Sequence, residues 1–165
     1  MGEKTTAPDE VNIPMIRHWV AAFDDQNPVY LDEDAATKSR FGGIVAPPAM
    51  LQAWTMPTPK IEGIAERGGA PTEMQFENPV SILDEEGYVG TLATNSELDF
   101  YRYLRPGDRL ELDIVVSEIS PKKKTSLATG YFVTWITTYR VGDEVVGRQL
   151  FRIFKFDPAT MGGAA

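Results

Sequence analysis

The stretch TSLATGYFVTWITTYRVGDEVVGRQLFRIFKF, residues 125–156, decides the fold. Val, Ile, Thr, Phe, Tyr and Trp crowd it, and these are the side chains that suit a pleated surface. The only break is Val141-Gly142-Asp143-Glu144, a tight-turn composition. The spacing therefore predicts two long strands, 125–140 and 145–156, folded back on each other. Working outward, the same pattern predicts strands over 109–119 and 90–103, with Arg105-Pro106-Gly107-Asp108 and Ser120-Pro121 followed by Lys122-Lys123-Lys124 as the connections. Short links of this kind make an antiparallel meander, and strands this long must curl as twist accumulates.

Toward the N-terminus the period changes to that of helices. Asn12 can cap a helix with Pro14 in its first turn, where a missing N–H costs nothing. Ile16, Trp19, Val20 and Phe23 then share one face and are expected to pack inward. His18 lies off that stripe. Asn27-Pro28 marks a turn, Asp32 a second cap, and Gly42-Gly43 the end of a short helix. VAPPAMLQAWTM, residues 45–56, opens with Pro47-Pro48 and is apolar on nearly every side from Ala49 to Met56, so it predicts a buried helix. The proline- and glycine-rich residues 57–71 predict a long loop of the kind that lines pockets. A long curved antiparallel sheet wrapped around a central buried helix is an α+β fold, and its open edge calls for dimerisation.

With 165 residues, 42% hydrophobic and 24% charged, the chain has the size and composition of one globular domain. Its expected boundaries are a flexible N-terminal tail over 1–10, a single domain over 11–157, and a tail or the start of a linker over 158–165. A net charge of -8 disfavours nucleic acid as a partner. The absence of cysteine and the single histidine exclude zinc, thiolate and iron–sulfur chemistry, so no metal site is expected. No apolar leader and no run of about 18 apolar residues is present, which predicts no membrane span and a cytoplasmic location.

FDDQNPVYLDEDAA, residues 23–36, resembles the active-site segment of the MaoC-like hydratase/dehydratase family of the hot-dog fold, in particular members acting in steroid and acyl-CoA metabolism. That segment runs aromatic, Gly-Asp, one residue, Asn-Pro, aliphatic, His, five residues, small residue. Asp25 falls on the family's aspartate, Asn27-Pro28 on its Asn-Pro, Val29 on the aliphatic and Ala36 on the small residue. Asp24 replaces the glycine and Tyr30 the histidine. FGGIVAPPAM, residues 41–50, is similar to the family's approach to its central helix, with Pro47-Pro48 in place of a common His-Gly. LRPGDRLELDI and ATGYFVTWITTYRVGDEVV are similar to its paired strands.

In the family an Asp/His pair holds the water that adds across a 2-enoyl thioester, and backbone N–H groups stabilise the oxyanion. Tyrosine, protonated near neutrality, cannot replace that base. The resemblance therefore implies a chain with no complete catalytic dyad, the non-catalytic subunit of a heteromeric enoyl-CoA hydratase. Its partner would be a hot-dog subunit carrying the Asp/His dyad, and its substrate a bulky, steroid (cholesterol) side-chain CoA thioester. It implies no cofactor beyond the coenzyme A of the substrate. Candidate substrate-binding residues are Asp25, Asn27, Tyr30, Gly43, Pro47 and Trp54. Candidates for the CoA phosphates are Lys122, Lys123, Lys124 and Arg102, with Arg40, Arg105 and Arg109 competing. Three other roles remain open: a non-enzymatic thioester-binding scaffold, a subunit of a long-chain 3-hydroxyacyl dehydratase, and a homodimeric thioesterase using Asp25. The tail DPATMGGAA is expected to lead into a linker, since in similar chains a zinc-ribbon and OB-type domain can follow.

Overall fold

The computed structural model describes residues 3–56, 62–63 and 79–162. Most of the loop expected over 57–71 lies outside them. The elements are β1 (Glu3–Thr6), α1 (Ile13–Phe23), α2 (Glu33–Lys38), α3 (Pro79–Glu85), β2 (Gly90–Phe100), β3 (Glu111–Ile119), β4 (Lys123–Lys124), β5 (Thr129–Val141) and β6 (Glu144–Asp157). One antiparallel sheet runs in the order β1-β3-β5-β6-β2, with β4 beside β5. The meander holds only for β3, β5 and β6. β2 pairs with β6 at the far edge, so residues 101–110 cross two intervening strands to reach β3. Within the tail expected over 1–10, Glu3–Thr6 form an edge strand, with Thr5 opposite Leu112. At the other end Thr160 Oγ1 accepts a bond from the Thr129 N–H, which docks the 158–160 turn on the sheet.

α1 starts as its sequence predicts, with the Asn12 side chain accepting from the Met15 N–H. It ends in the left-handed residue Asp24, φ 49°, where the Asp25 N–H reaches the Val20 carbonyl and the Asp24 N–H that of Ala21. This is a Schellman end, the setting that favours glycine, and it explains in backbone terms why the similar family carries glycine at this position. Asp32 caps α2 through the Ala35 N–H.

The central segment differs from expectation. In place of one α-helix it forms two 3₁₀ turns, Pro48–Met50 and Ala53–Thr55, closed by bonds such as Met50 N–H to the Pro47 carbonyl and Thr55 N–H to that of Gln52. Pro57 disfavours helical backbone at the residue before it, and Met56 is extended, so the segment is cut short after Pro47-Pro48. Met50, Leu51 and Trp54 are buried, whereas Ala49, Gln52 and Met56 face outward. Ile16 and Val20 of α1 join them against Leu112, Tyr139 and Val146 on one face of the sheet. Phe132, Phe154 and Phe156 stack on the opposite face.

Bulges rephase two strands. Register shifts by one residue between Ala93 and Asn95 in β2, and between Val116 and Glu118 in β3. Thr91 and Ala93 face the core side before the first bulge; Ser96, Leu98 and Phe100 face it afterwards.

Candidate functional site

A cleft of about 510 Å³ opens where the end of α1, the turn after it, the first 3₁₀ turn and the end of β2 meet. Trp19, Phe23 and Phe100 supply its aromatic walls, Pro47, Pro48 and Ala49 one side, and Asp25 and Tyr30 its polar corner. Phe23, at the end of the apolar stripe of α1, is 67% exposed. The inward packing expected of that stripe stops at Val20, and Phe23 instead meets the Trp19 ring at a tilt, with ring centroids 4.7 Å apart.

The polar corner is set by local bonds. Asp25 Oδ1 accepts from the Asn27 N–H at 3.0 Å, and Asn27 Oδ1 accepts from the Val29 N–H at 3.3 Å. These Asx-type contacts shape the 3₁₀ turn Pro28–Tyr30 and swing the Tyr30 ring inward, where it is 7% exposed. Burial, then the Asp25 charge and the Tyr103 phenol, hold the Tyr30 hydroxyl above its ordinary pKa, with the Asn27 side chain opposing. Tyr30 is thus a protonated hydrogen-bonding wall and no base at neutral pH.

Of the six substrate-binding candidates, Asp25, Tyr30 and Pro47 line the cleft. Asn27 holds the turn. Trp54 is buried in the core, with no hydrogen-bond partner for its Nε1 among the described residues. Gly43 sits beside the Arg105 guanidinium, away from the lining. His18 is exposed on α1 and does not line the cleft.

The phosphate candidates lie elsewhere. Arg102 is taken up by Asp108 at 2.7 Å and Glu144 at 2.8 Å, which tie the crossover 101–110 to the β5–β6 turn. Lys124 lies opposite Thr129 and so level with Asp157, while Phe100 is level with Gly147. The span of β6 from Gly147 to Asp157 puts about 33 Å between the lysine end and the cleft. Lys122 lies over the rings of Tyr88 and Tyr131, at 5.2 and 5.8 Å. Phe100 was not legible as a site residue, because β2 reaches the cleft only through its pairing with β6. No helix among the described residues is long and apolar enough to cross a membrane.

A model of the FAS1-like dehydratase domain region matches residues 1–149. The chain is 44% identical over 161 residues to a probable enoyl-CoA hydratase alpha subunit of Thermomonospora curvata, covering 96% of this chain and 49% of that protein. It is 39% identical over 153 residues to the 3-oxo-4,17-pregnadiene-20-carboxyl-CoA hydratase alpha subunit of Mycobacterium tuberculosis, covering 93% and 47%. The chain thus spans about half the length of these curated relatives. Among solved structures, a chain of the ChsH1-ChsH2 complex of M. tuberculosis superposes with a TM-score of 0.79 at 36% identity, covering 95% of this chain and 89% of that one. A MaoC-like dehydratase from Rhodospirillum rubrum shares the fold, with a TM-score of 0.61 at 22% identity over 95% and 92%. Sheet order, turn geometry and these matches together place the chain in the FAS1-like dehydratase-region family, with the hot-dog fold of the MaoC-like proteins.

Proposed function

We propose that this chain is the non-catalytic hot-dog subunit of a heteromeric enoyl-CoA hydratase, forming part of the pocket for a bulky steroid side-chain thioester. The observation that carries the reading is Tyr30. It stands beside Asp25 at the wall of an apolar cleft, in the position that the similar family gives to histidine. The partner subunit supplies the Asp/His dyad, whose carboxylate and imidazole place a water on the β-carbon of the enoyl group and return a proton to the α-carbon. This chain contributes apolar walls and a neutral phenol. The step draws on no cofactor beyond the substrate's own coenzyme A. The names of the two alpha-subunit relatives and the paired complex of the solved structure support a heteromer of this kind. Asp25 as a lone hydrolytic carboxylate is disfavoured, because one of its oxygens is committed to the Asn27 N–H.

The test is hydration of a 2-enoyl-CoA by the chain alone and by the chain co-expressed with the catalytic hot-dog protein encoded nearest to it. Activity is expected only in the mixture. Replacing the partner's histidine should cost about 10² to 10⁴ in turnover, while Tyr30→Phe should leave turnover within a few-fold. Full hydration by the isolated chain would overturn the reading.

A further inference from the structure

Two walls of the cleft rest on a glycine that does not line it. Gly147 of β6 lies level with Phe100 of β2 on one side and with Tyr139 of β5 on the other. It is buried, and its backbone is that of an ordinary strand, outside the left-handed region, so the path of the chain does not call for glycine there. The space around it does. A β-carbon at this position would stand 2.5 Å from Leu51 Cδ2 and 3.0 Å from the Asp99 carbonyl oxygen, too close for packed atoms. Leu51 closes the first 3₁₀ turn, its N–H donating to the Pro48 carbonyl at 3.1 Å, and that turn sets Pro48 and Ala49 along one side of the cleft. Asp99 precedes Phe100, which is one of the aromatic walls, and the Tyr101 N–H after it donates to the Val146 carbonyl at 3.0 Å. The proline side and the β2 side of the cleft therefore both bear on β6 at the same residue.

Gln149, two positions on and on the same face of β6, ties the same two parts together. Its Nε2 donates to Ser96 Oγ of β2 at 3.1 Å and to Gln52 Oε1 of the central segment at 3.4 Å, while its Oε1 accepts from the Tyr139 hydroxyl at 2.9 Å. Gly147 fixes how near the turn and β2 come, and Gln149 holds them there. We infer that Gly147 is a positioning residue that sets the spacing of the cleft walls from behind, and with it the girth of the acyl group that this chain accepts. The inference rests on the function proposed above and deepens it. Leu51 is buried in the core with Met50, Trp54, Tyr139 and Val146, so its side chain has no free volume to swing into, and a methyl group added at 147 displaces the turn that carries it. A rigid fused-ring acyl group fills the cleft and cannot follow a displaced wall. A short acyl chain touches few of the walls and loses little.

The test uses the co-purified complex and two substrates, a fused-ring steroid 2-enoyl-CoA and 2-butenoyl-CoA, with kcat/KM measured for each. Gly147→Ala should lower the ratio of the fused-ring value to the short-chain value about tenfold, the effect of one methyl group in a closely fitted pocket, with the loss entering through KM. Adding Leu51→Val, which removes the carbon that the new methyl meets, should restore the ratio, a response that a general loss of stability would not give. Gln149→Leu cuts the tie without adding volume and should move the ratio in the same direction. If Gly147→Ala does not assemble, the ratio in Gln149→Leu decides, and no change there overturns the inference. In an assembled Gly147→Ala complex, an unchanged ratio, an equal loss of both substrates, or a selective loss that Leu51→Val does not restore overturns the inference and leaves the proposed function standing. A native complex that hydrates neither substrate overturns the function, and the inference with it.

Discussion

Tyr139 carries a phenol that solvent does not reach. An unfolded tyrosine ionises near pH 10, whereas burial raises this one to about 12. Between those values the folded chain holds a proton that the unfolded chain has lost. The stabilisation by the neutral phenol is therefore complete below pH 10 and disappears as pH rises through about 12, a loss on the order of 2–3 kcal/mol. Urea midpoints of the native chain and Tyr139→Phe, measured at pH 9 and pH 11.5, should show the native chain's advantage at the lower pH and a smaller gap at the higher. At this scale much was legible. The turn at Asn27-Pro28 and both helix caps follow from residue chemistry, and the loss of the histidine from the family resemblance. Trp54 and Gly43 lie off the cleft lining, and a tryptophan beside a proline-rich turn and a Gly-Gly pair give no sign in the sequence of which side of the segment faces the cleft.

Elements owe their positions to contacts far apart in the chain. Lys155, in the middle of Phe154-Lys155-Phe156, is 1% exposed, and its ammonium is held by Asp84, by Thr91 Oγ1 at 2.8 Å and by the Val89 carbonyl. This pins α3 to β6. Asp84→Ala should cost about 3 kcal/mol, since it strands a buried cation, and Lys155→Met should cost less because it removes the charge with its need for a partner. Thermal melts of the two variants would give the order, and equal losses would refute it. A lysine between two phenylalanines reads in sequence as an outward strand position, so this clip was invisible without the pairing. The strands themselves were legible from their β-branched and aromatic runs. Their bulges were not, because Thr94-Asn95-Ser96 carries no glycine or proline to announce one.

The whole sheet has two unlike edges. β1 is four residues long and opens with Glu3-Lys4, a short charged edge that discourages pairing. β2 offers eleven residues, and Leu92 on it is 47% exposed. The long edge is the one suited to a second hot-dog chain. Leu92→Lys should weaken the complex at least tenfold in size-exclusion or sedimentation titrations and leave the melting of the isolated chain unchanged; an unaffected complex would move the interface elsewhere. The order of the strands was the largest feature that sequence could not give, since nothing local says that β2 crosses the sheet before β3 begins. One residue of that strand has a further meaning for how such chains vary in length. Thr94 is the extra residue of the β2 bulge. Deleting it would straighten the strand while every neighbour kept its present face, whereas deleting any residue from 96 to 99 would change which side chains β2 turns toward the core face. Kindred chains can therefore differ by one residue at this address and still build the same wall, so a gap there is silent where a gap two positions later is not.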